Sequence, residues 1–342
     1  MTRFGIVGAG LRGRMYAEAL GDYPGVVVAA FAESSPRVAE ATRETTGYPV
    51  VSSHEQLLED FDLDAVVVAT PDFAHREAAV AVAEAGKHML IEKPLAMSLD
   101  DAYAIRDAVR HGGGQCLVGF ENRWNPHIVQ TRRSIESGAL GTHVTSSATL
   151  SNSYFVPLEM LSWAAKSSPA WFLMPHTVDL MLLFSGKSPV SVTAMASRGV
   201  LAARGIDTWD VVHALISFED GTTSSLTSAW TLPEGADAIV DFRFQFIGTE
   251  GMIAGDPIHQ GLDVVTDRRR TQGTLAGRIG QSLVGAPTWM VQDFAAGIIA
   301  GAPVGPDVDH GVLVTEVICA IEAAIASQNT IHLDALRRDR GL

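Results

Sequence analysis

The tripeptide Glu92-Lys93-Pro94 contains the residue of this 342-residue chain that is best suited to proton transfer. It follows a short apolar run, 88–91, which predicts a buried strand. A lysine at the end of such a strand can exchange a proton with a substrate hydroxyl. Proline disfavours helical backbone in the residue before it, which directs Lys93 across the strand end. We therefore expect Lys93 to be an acid–base group.

A second motif predicts that the chain also binds a dinucleotide. The hexapeptide Gly8-Ala9-Gly10-Leu11-Arg12-Gly13 follows an apolar run, 4–7, and precedes a helix-compatible stretch, 14–20. In such a motif the first glycine makes a tight turn and the second lets the backbone approach a pyrophosphate. The third lets the helix pack closely on the strand. The motif predicts dinucleotide binding by Gly8, Ala9, Gly10, Leu11, Arg12 and Gly13.

Glu33 ends the second predicted strand, twenty residues after Gly13, where a ribose-binding carboxylate is expected. Its charge accepts a hydrogen bond from the ribose 2′-OH and repels a 2′-phosphate, which favours NAD over NADP. Ser34 and Arg37 lie nearby and keep NADP as the alternative, because a hydroxyl and a guanidinium suit a phosphate. We expect Glu33 and Ser34 to contact the cofactor.

The same crevice should be lined by residues at the carboxyl ends of later strands. Thr70 and Pro71 follow the predicted strand 65–69, and His75 begins the next helix. These three residues, together with Glu92 and Lys93, are predicted to contact the ribose or the nicotinamide.

The elements that position these residues change type near residue 120. Up to that point, apolar strands alternate with helices, which predicts a doubly wound parallel α/β sheet, the Rossmann architecture. Beyond it, long alternating strands predict an α+β domain with a large, open, mostly antiparallel sheet. We expect one domain at 1–120 and a second at 121–342. A last helix at about 311–327 should pack back on the first domain, and 267–288 should be a mobile loop. The predicted strands are 3–7, 26–32, 65–69, 88–91, 115–119, 142–151, 190–198, 211–218, 222–230 and 242–248.

Composition excludes several classes of partner. The formal net charge is −14, so nucleic acid and anionic membranes are poor partners. Neither a signal segment nor an uninterrupted membrane-length apolar run is found, which predicts a soluble, cytoplasmic protein. Cys116 and Cys319 lie far apart in apolar runs and are expected to be buried thiols. The histidines lack metal-ligand spacing, so no metal site is predicted.

Several motifs, spread over most of the chain, resemble those of the glucose–fructose oxidoreductase / inositol dehydrogenase family (Gfo/Idh/MocA). They are the glycine-rich motif at 8–13, Ala-Thr-Pro-Asp-Phe-Ala-His at 69–75, Ala-Gly-Lys-His-Met-Leu-Ile-Glu-Lys-Pro-Leu at 85–95, Asn-Arg-Trp-Asn-Pro at 122–126, His-Thr-Val-Asp at 176–179 and Gly-Thr-Glu-Gly at 248–251.

This resemblance implies an NAD(P)-dependent dehydrogenase or reductase acting on CH–OH groups of sugars, polyols or their derivatives. It implies a substrate domain that also forms a homodimer or homotetramer through its sheet. His176 is expected near the carbon that exchanges the hydride, where it assists Lys93. Asp179, one helical turn later, is expected to orient His176. Asn122 and Arg123 follow the fifth strand of the first domain and are expected to touch nicotinamide or substrate.

Phe172 departs from the family pattern, which has an aspartate four residues before the histidine. Its position in the substrate pocket predicts a less hydroxylated or partly apolar substrate. Two alternatives stay open: an NAD-retaining lyase or glycosidase, and a non-catalytic NAD(P)-binding sensor. Phe172 favours the sensor, whereas the intact Glu92-Lys93-Pro94 argues against it.

Overall fold

The computed structural model describes residues 1–233, 235, 239–258, 263–265, 270–272, 277–280 and 282–338. The chain forms two compact units. The first comprises Met1–Glu121 and Ala276–Thr315, and the second comprises Asn122–Leu275 and Glu316–Leu342. Residues 276–315 group with the first unit, although the sequence prediction placed them in the second domain.

The first unit contains a six-stranded parallel sheet with strand order β3-β2-β1-β4-β5-β6. This is the order of a doubly wound dinucleotide-binding fold, so the predicted fold class is confirmed for this unit. Its elements are β1 (Thr2–Val7), α1 (Leu11–Gly21), β2 (Val26–Ala32), α2 (Pro36–Thr46), β3 (Val50–Val51), α3 (His54–Asp60), β4 (Ala65–Val68), α4 (His75–Glu84), β5 (His88–Glu92), α5 (Leu99–Gly112) and β6 (Cys116–Gly119).

The rest of the chain supplies the second sheet and the segment that returns to the first unit. Its elements are α6 (Pro126–Glu136), β7 (His143–Ser153), α7 (Pro169–Phe172), α8 (Met174–Ser185), β8 (Pro189–Ser197), β9 (Val211–Phe218), β10 (Thr223–Leu232), β11 (Val240–Gly248), β12 (Met252–Gly255), β13 (Asp263–Val265), β14 (Arg270–Gln272), β15 (Gly277–Ile279), β16 (Ser282–Val284), α9 (Ala286–Ala300), α10 (Val308–Ser327), β17 (Ile331–His332) and α11 (Leu333–Arg338).

Local signals explain why some elements were predicted and others were missed. Ser98 caps α5 by accepting a hydrogen bond from the Asp101 N–H at 3.2 Å, as expected for a serine before a helix. The sequence prediction missed α9 and, in the part of the chain up to β6, it missed β3 and α3. Strand β3 has two residues, and α3 buries only Leu57 among its seven residues. Neither is long enough to show a hydrophobic period.

The edge of the first sheet at β6 is covered by the chain segment that precedes α10. The Val118 N–H donates to the Pro306 carbonyl at 2.8 Å. The Gln115 side chain donates to the Ala302 carbonyl at 3.1 Å and accepts from the Val304 N–H at 3.0 Å. The Pro306 carbonyl therefore occupies a backbone N–H of β6 that an edge strand would otherwise expose.

Helix α9 packs on α1 within the first unit. The Phe294 and Phe4 rings meet edge to face at 6.0 Å, and the Gln292 side chain donates to the Ala19 carbonyl at 3.1 Å. Within the predicted loop 267–288, residues 267–269, 273–276 and 281 lie outside the described residues. The described part of that segment includes β15 and β16, which pair as a hairpin.

The second unit contains a seven-stranded sheet with order β12-β11-β7-β10-β9-β8-β17. Strands β7 and β10 run parallel, and the other neighbouring pairs run antiparallel. Helix α8 packs on one face, over β7 and β10. The other face is open, with Met195 74% and Leu215 43% exposed. The predicted open, mostly antiparallel sheet is confirmed.

Helix α10 is long and apolar enough to cross a membrane by its length and composition, and 56% of its most apolar stretch is buried inside the protein. Core helices of soluble proteins have the same composition, so this helix is weak evidence for a membrane span.

A buried imidazole joins the amino-terminal ends of β7 and β10. The two ring nitrogens of His143 each lie 3.1 Å from a hydroxyl oxygen, one from Thr222 and the other from Ser146. The Ser146 hydroxyl also bonds that of Ser224 at 2.6 Å. Burial lowers the pKa of His143 below its usual 6.5, with the nearby Asp220 acting in the opposite direction. The folded chain therefore favours the neutral ring.

This lowered pKa predicts how stability depends on pH. The unfolded chain binds a proton at His143 more readily than the folded chain does. The stabilisation is thus complete above about pH 6.5 and falls as the pH drops below that value. We expect the Tm of the wild type to fall more steeply between pH 7 and 5 than that of His143→Asn. Thermal unfolding over this range checks it, with the exposed His111→Asn as control. An equal pH slope for His143→Asn and the wild type would contradict the assignment.

Candidate active site

The glycine-rich motif, which spans the β1–α1 loop and the first turn of α1, contains three glycines, two of which the fold itself requires. Gly8 has a φ of +94°, and a Cβ there would lie 2.6 Å from the Ala69 carbonyl oxygen beyond β4. A Cβ on Gly13 would clash with the carbonyl oxygen of Gly8. Helix α1 can therefore approach β1 this closely only because position 13 lacks a side chain.

Gly10 differs from the other two, because its missing side chain meets no protein atom. A Cβ there would have no described heavy atom within 4 Å, and its φ of −67° is accessible to any residue. Backbone N–H groups at a helix N-terminus attract anions. The open backbone at Gly10 therefore fits the pyrophosphate of a dinucleotide. Next to it, Ala9 is fully buried and Leu11 is 72% exposed.

The carboxylate of Glu33 lies against this loop. It accepts hydrogen bonds from the Ala9 N–H at 3.0 Å and from the Ser35 N–H at 2.8 Å, one on each oxygen. Each carboxylate oxygen has a second lone pair, so the group can also accept a ribose hydroxyl. Ser34 is exposed beside it. The structure thus brings the predicted ribose-binding residues to the glycine-rich loop.

His75 ties together two turns at the carboxyl ends of β4 and β5. Its Nδ1 lies 2.7 Å from the Pro94 carbonyl oxygen and its Nε2 lies 3.1 Å from that of Thr70. The ring is 1% exposed. Pro71 lies in the same turn as Thr70. Although the sequence suggested cofactor contact for His75, its ring nitrogens face backbone carbonyls of the two turns that carry Thr70 and Lys93.

Lys93 is 6% exposed and follows a carboxylate that several groups hold in place. Glu92 accepts hydrogen bonds from the Tyr16 hydroxyl and, at 3.1 Å, from the Lys93 N–H. The Arg12 guanidinium lies 3.0 Å from Glu121 and 3.9 Å from Glu92. Burial and then the negative charge of Glu92 raise the pKa of Tyr16 well above its usual value. Tyr16 therefore stays a hydrogen-bond donor.

In the second unit, His176 lies in the first turn of α8 and is 8% exposed. Its Nδ1 lies 3.3 Å from the Asn122 amide nitrogen. If that amide donates to Nδ1, the neutral ring carries its proton on Nε2. Asn122 therefore selects the tautomer in which His176 Nε2 is a donor. The sequence placed Asn122 next to substrate or nicotinamide and did not anticipate this contact.

Asp179 pairs with Arg123. Its fully buried carboxylate accepts from Arg123 Nε at 3.0 and 3.1 Å and from Nη2 at 2.6 Å. Paired guanidinium–carboxylate contacts of this kind fix orientation as well as charge. The sequence analysis predicted that Asp179 orients His176 and that Arg123 touches substrate. In the structure, the Asp179 carboxylate pairs with Arg123 instead.

Phe172 ends α7 and belongs to an aromatic cluster. Its ring centroid lies 5.7 Å from that of Trp230 on β10 and 6.0 Å from that of Trp163. Aromatic pairs prefer such tilted and edge-to-face arrangements. At the position where the family pattern has a carboxylate, this chain therefore has an aromatic ring packed against Trp163 and Trp230.

Three polar residues that the sequence analysis did not select lie in the same unit. The buried atoms Asn152 Oδ1, Ser228 Oγ and Trp230 Nε1 have no hydrogen-bond partner in the described part of the chain. Ser228 and Trp230 share one face of β10, and Asn152 lies near the carboxyl end of the neighbouring β7. Buried polar atoms are normally paired. Polar residues at inward-facing positions of alternating strands are the signal that would have found them.

Two segments of the chain match two domain descriptions of one protein family. Residues 2–120 match "Oxidoreductase family, NAD-binding Rossmann fold", and residues 128–254 match "GFO/IDH/MocA C-terminal domain".

Known proteins with similar sequences and structures agree with these matches. An inositol 2-dehydrogenase of Rhizobium meliloti is 25% identical, covering 97% of this chain and 99% of its own length. A levoglucosan dehydrogenase of Pseudarthrobacter phenanthrenivorans is 28% identical, covering 73% of this chain and 72% of its own. The scyllo-inositol dehydrogenase of Lactobacillus casei, solved with NAD(H) and scyllo-inositol, superposes with a TM-score of 0.84 at 18% identity, covering 98% of this chain and 99% of its own. At 18% identity, this last similarity shows a shared fold.

The different roles of Gly10 and Gly13 predict opposite effects of one added methyl group. We expect Gly10→Ala to keep the wild-type stability and to weaken NADH binding by at least about tenfold, through lost phosphate contacts. Gly13→Ala should lower the free energy of unfolding by about 1–3 kcal/mol, because its Cβ meets backbone. Chemical denaturation and NADH fluorescence titration measure both quantities. Unchanged NADH affinity in Gly10→Ala would mean that the loop does not hold the pyrophosphate.

Proposed function

This chain belongs to the GFO/IDH/MocA oxidoreductase family, and we propose that it transfers a hydride between nicotinamide and a secondary alcohol or ketone of a sugar, polyol or related small molecule. The family, the oxidoreductase class acting on CH–OH groups and the cofactor NAD, all predicted from the sequence, are confirmed. The observation that carries the finer proposal is Lys93, buried at the carboxyl end of β5 in the sheet whose β1 ends in the glycine-rich loop.

The first unit holds NAD with residues at the strand ends. NAD supplies the nicotinamide carbon that accepts or returns a hydride. The glycine-rich loop would hold the pyrophosphate, Glu33 and Ser34 would hold the adenosine ribose, and Thr70 and Pro71 would contact the nicotinamide half. Glu33 favours NAD over NADP because a 2′-phosphate would meet its negative charge.

Lys93 exchanges the proton of the reacting hydroxyl. With NAD bound, the substrate carbon would give its hydride to the nicotinamide while its hydroxyl gives its proton to Lys93 Nζ, which leaves a carbonyl. In the reduction direction, Lys93 would return that proton. Because Lys93 is 6% exposed, bulk water does not compete for the transfer.

Within the second unit, His176 is the proposed hydrogen-bond donor to a substrate hydroxyl. Its Nδ1 faces the Asn122 amide, so its Nε2–H is the group free to donate. Asp179 holds Arg123 through paired hydrogen bonds, which supports a role for Arg123 in binding a substrate hydroxyl or carbonyl. Asp179 acts on substrate through Arg123.

The substrate class follows from the aromatic cluster and the three unpartnered polar atoms. The relatives named above are dehydrogenases of inositol and levoglucosan, which are cyclic polyols or anhydrosugars. Phe172 removes one carboxylate from such a pocket and adds an apolar wall. Asn152, Ser228 and Trp230 offer an acceptor, a hydroxyl and a donor. These features support a cyclic substrate with an apolar ring face and fewer hydroxyl groups than inositol.

The open face of the second sheet supports assembly into a homodimer or homotetramer. It exposes apolar side chains such as Met195 and Leu215, which are typical of surfaces that pair.

We place the enzyme in the cytoplasm as a soluble protein.

A substrate panel tests the function. The purified protein is incubated with NAD or NADP and with inositols, anhydrosugars, deoxysugars and keto-sugars, and nicotinamide absorbance and products are both followed. Net NADH formation or consumption supports the proposal. Product without net change in nicotinamide would favour the NAD-retaining lyase or glycosidase, and NAD binding without any product would favour the sensor.

Lys93→Met tests the proton transfer. Methionine keeps the length and the apolar stem of the side chain but cannot exchange a proton, so kcat should fall by about 10²–10⁴-fold while NADH affinity stays near the wild-type value. His176→Asn should lose less, because an amide still donates a hydrogen bond. Steady-state kinetics and NADH titration measure these effects. More than about a tenth of the wild-type kcat in Lys93→Met would make Lys93 a binding residue.

Asn152→Leu separates a substrate contact from a packing defect. Leucine has a similar shape and removes a buried polar atom that lacks a partner, so the free energy of unfolding should stay equal or rise by about 1 kcal/mol. If Asn152 contacts substrate, kcat/KM should fall at least about tenfold. A stabilised variant with wild-type kinetics would remove Asn152 from the pocket. Leu226→Met, a buried apolar exchange on β10, is the matched control.

A further inference from the structure

Arg12, the fifth residue of the glycine-rich motif, directs its side chain at two carboxylates. The guanidinium lies 3.0 Å from Glu121, which follows β6, and 3.9 Å from Glu92, which ends β5. Its side chain is 37% exposed, whereas those of Glu92 and Glu121 are 7% and 10% exposed. We propose that Arg12, paired with both carboxylates, positions Lys93 through Glu92 and is not a ligand of the cofactor phosphates.

The charge balance explains why Arg12 stays with the carboxylates. Arg12 forms an ion pair with Glu92 and another with Glu121, and both carboxylates are largely removed from water. If the guanidinium turned toward a pyrophosphate, two buried negative charges at adjacent strand ends would lose that cation. A buried carboxylate left without its cation is strongly destabilising. The phosphates, in contrast, are served by the helix N-terminus and the open backbone at Gly10.

The contact passes from Arg12 to Lys93 through Glu92. One Glu92 oxygen accepts from the Tyr16 hydroxyl and faces Arg12, and the other accepts from the Lys93 N–H at 3.1 Å. The carboxylate is thus held on both sides. Gly119 permits this packing, because a Cβ there would lie 3.2 Å from the Glu92 Cα and 3.4 Å from its carboxyl carbon. The orientation of the peptide that joins Glu92 to Lys93 therefore depends on Arg12 and Tyr16, both on α1.

This inference rests on the proposed role of Lys93 and gives Arg12 a measurable signature. In Arg12→Met, kcat at saturating NAD should fall at least about tenfold, since a misplaced catalytic group loses up to about 10²-fold. The NADH dissociation constant should change less than about threefold. Arg12→Lys keeps the positive charge but lacks the planar fork that serves two carboxylates, so it should recover part of the lost kcat. Arg110→Met, which removes an exposed arginine paired with Asp309, is the control for loss of charge.

Hydrogen–deuterium exchange gives a readout that does not need turnover. The amides of 88–95 should exchange faster in Arg12→Met than in the wild type or Arg110→Met, because the acceptor of the Lys93 N–H is released. If Arg12→Met does not fold, Arg12→Met/Glu121→Gln removes one cation and one anion together and should show the same loss of kcat and faster exchange.

The opposite pattern would overturn the proposal. NADH binding weakened at least about tenfold, with unchanged kcat at saturating NAD and unchanged exchange in 88–95, would make Arg12 a phosphate ligand. A wild type that turns over no substrate would instead refute the proposed function, and the NADH titration and the exchange of 88–95 would still decide the role of Arg12.

Discussion

The close approach of α1 to β1 is the constraint on which the first unit depends. It exists because position 13 has no side chain to separate the helix from the Gly8 carbonyl. It sets the N-terminus of α1 beside the ends of the parallel strands, where backbone N–H groups can face an anion. It also places two α1 side chains, Arg12 and Tyr16, against Glu92. One helix therefore serves both the proposed phosphate site and the proposed acid–base lysine.

The second unit contains a different arrangement, with buried polar atoms and aromatic rings on the inner face of its sheet. Two neighbouring parallel strands, β7 and β10, end close together in an otherwise antiparallel sheet. Their inner face carries polar residues at positions where aliphatic side chains would pack, and aromatic rings lie beside them. Leaving such atoms without a partner lowers stability. Proteins retain arrangements of this kind most often where a ligand completes them.

Much of the fold could be predicted from local patterns in the sequence. Continuous apolar runs identified the parallel strands, and alternation identified the second sheet. Short elements were missed because β3 and α3 offer no hydrophobic period. Residues 276–315 group with the first unit through packing of α9 and the segment 302–306, and such packing has no signature in a local window.

Site residues were predicted by type and position, but their partners were not. The motif identified Arg12, while its partner Glu121 lies 109 residues later in the chain. Asp179 was placed on the same helix face as His176, whereas its carboxylate pairs with Arg123, which is 56 residues away. Ser228 Oγ and Asn152 Oδ1, which lack a hydrogen-bond partner among the described residues, belong to no sequence motif. Side-chain pairing over such separations depends on the folded backbone, so periodicity and spacing cannot specify it.

The covered edge of β6 also affects the protein while it is being synthesised and is still folding. A parallel sheet with an open edge can pair with a strand from another chain and so aggregate. Because distant strands pair slowly, the edge stays exposed to such aggregation for longer. At one edge the two-residue β3 offers little template. At the other, the Pro306 carbonyl and the Gln115 side chain hold backbone groups beside β6. Because residues 302–306 leave the ribosome long after β6, that second edge is protected only late in synthesis. Aggregation during expression should therefore respond to truncations that remove this segment more than to changes in the loops of the second sheet.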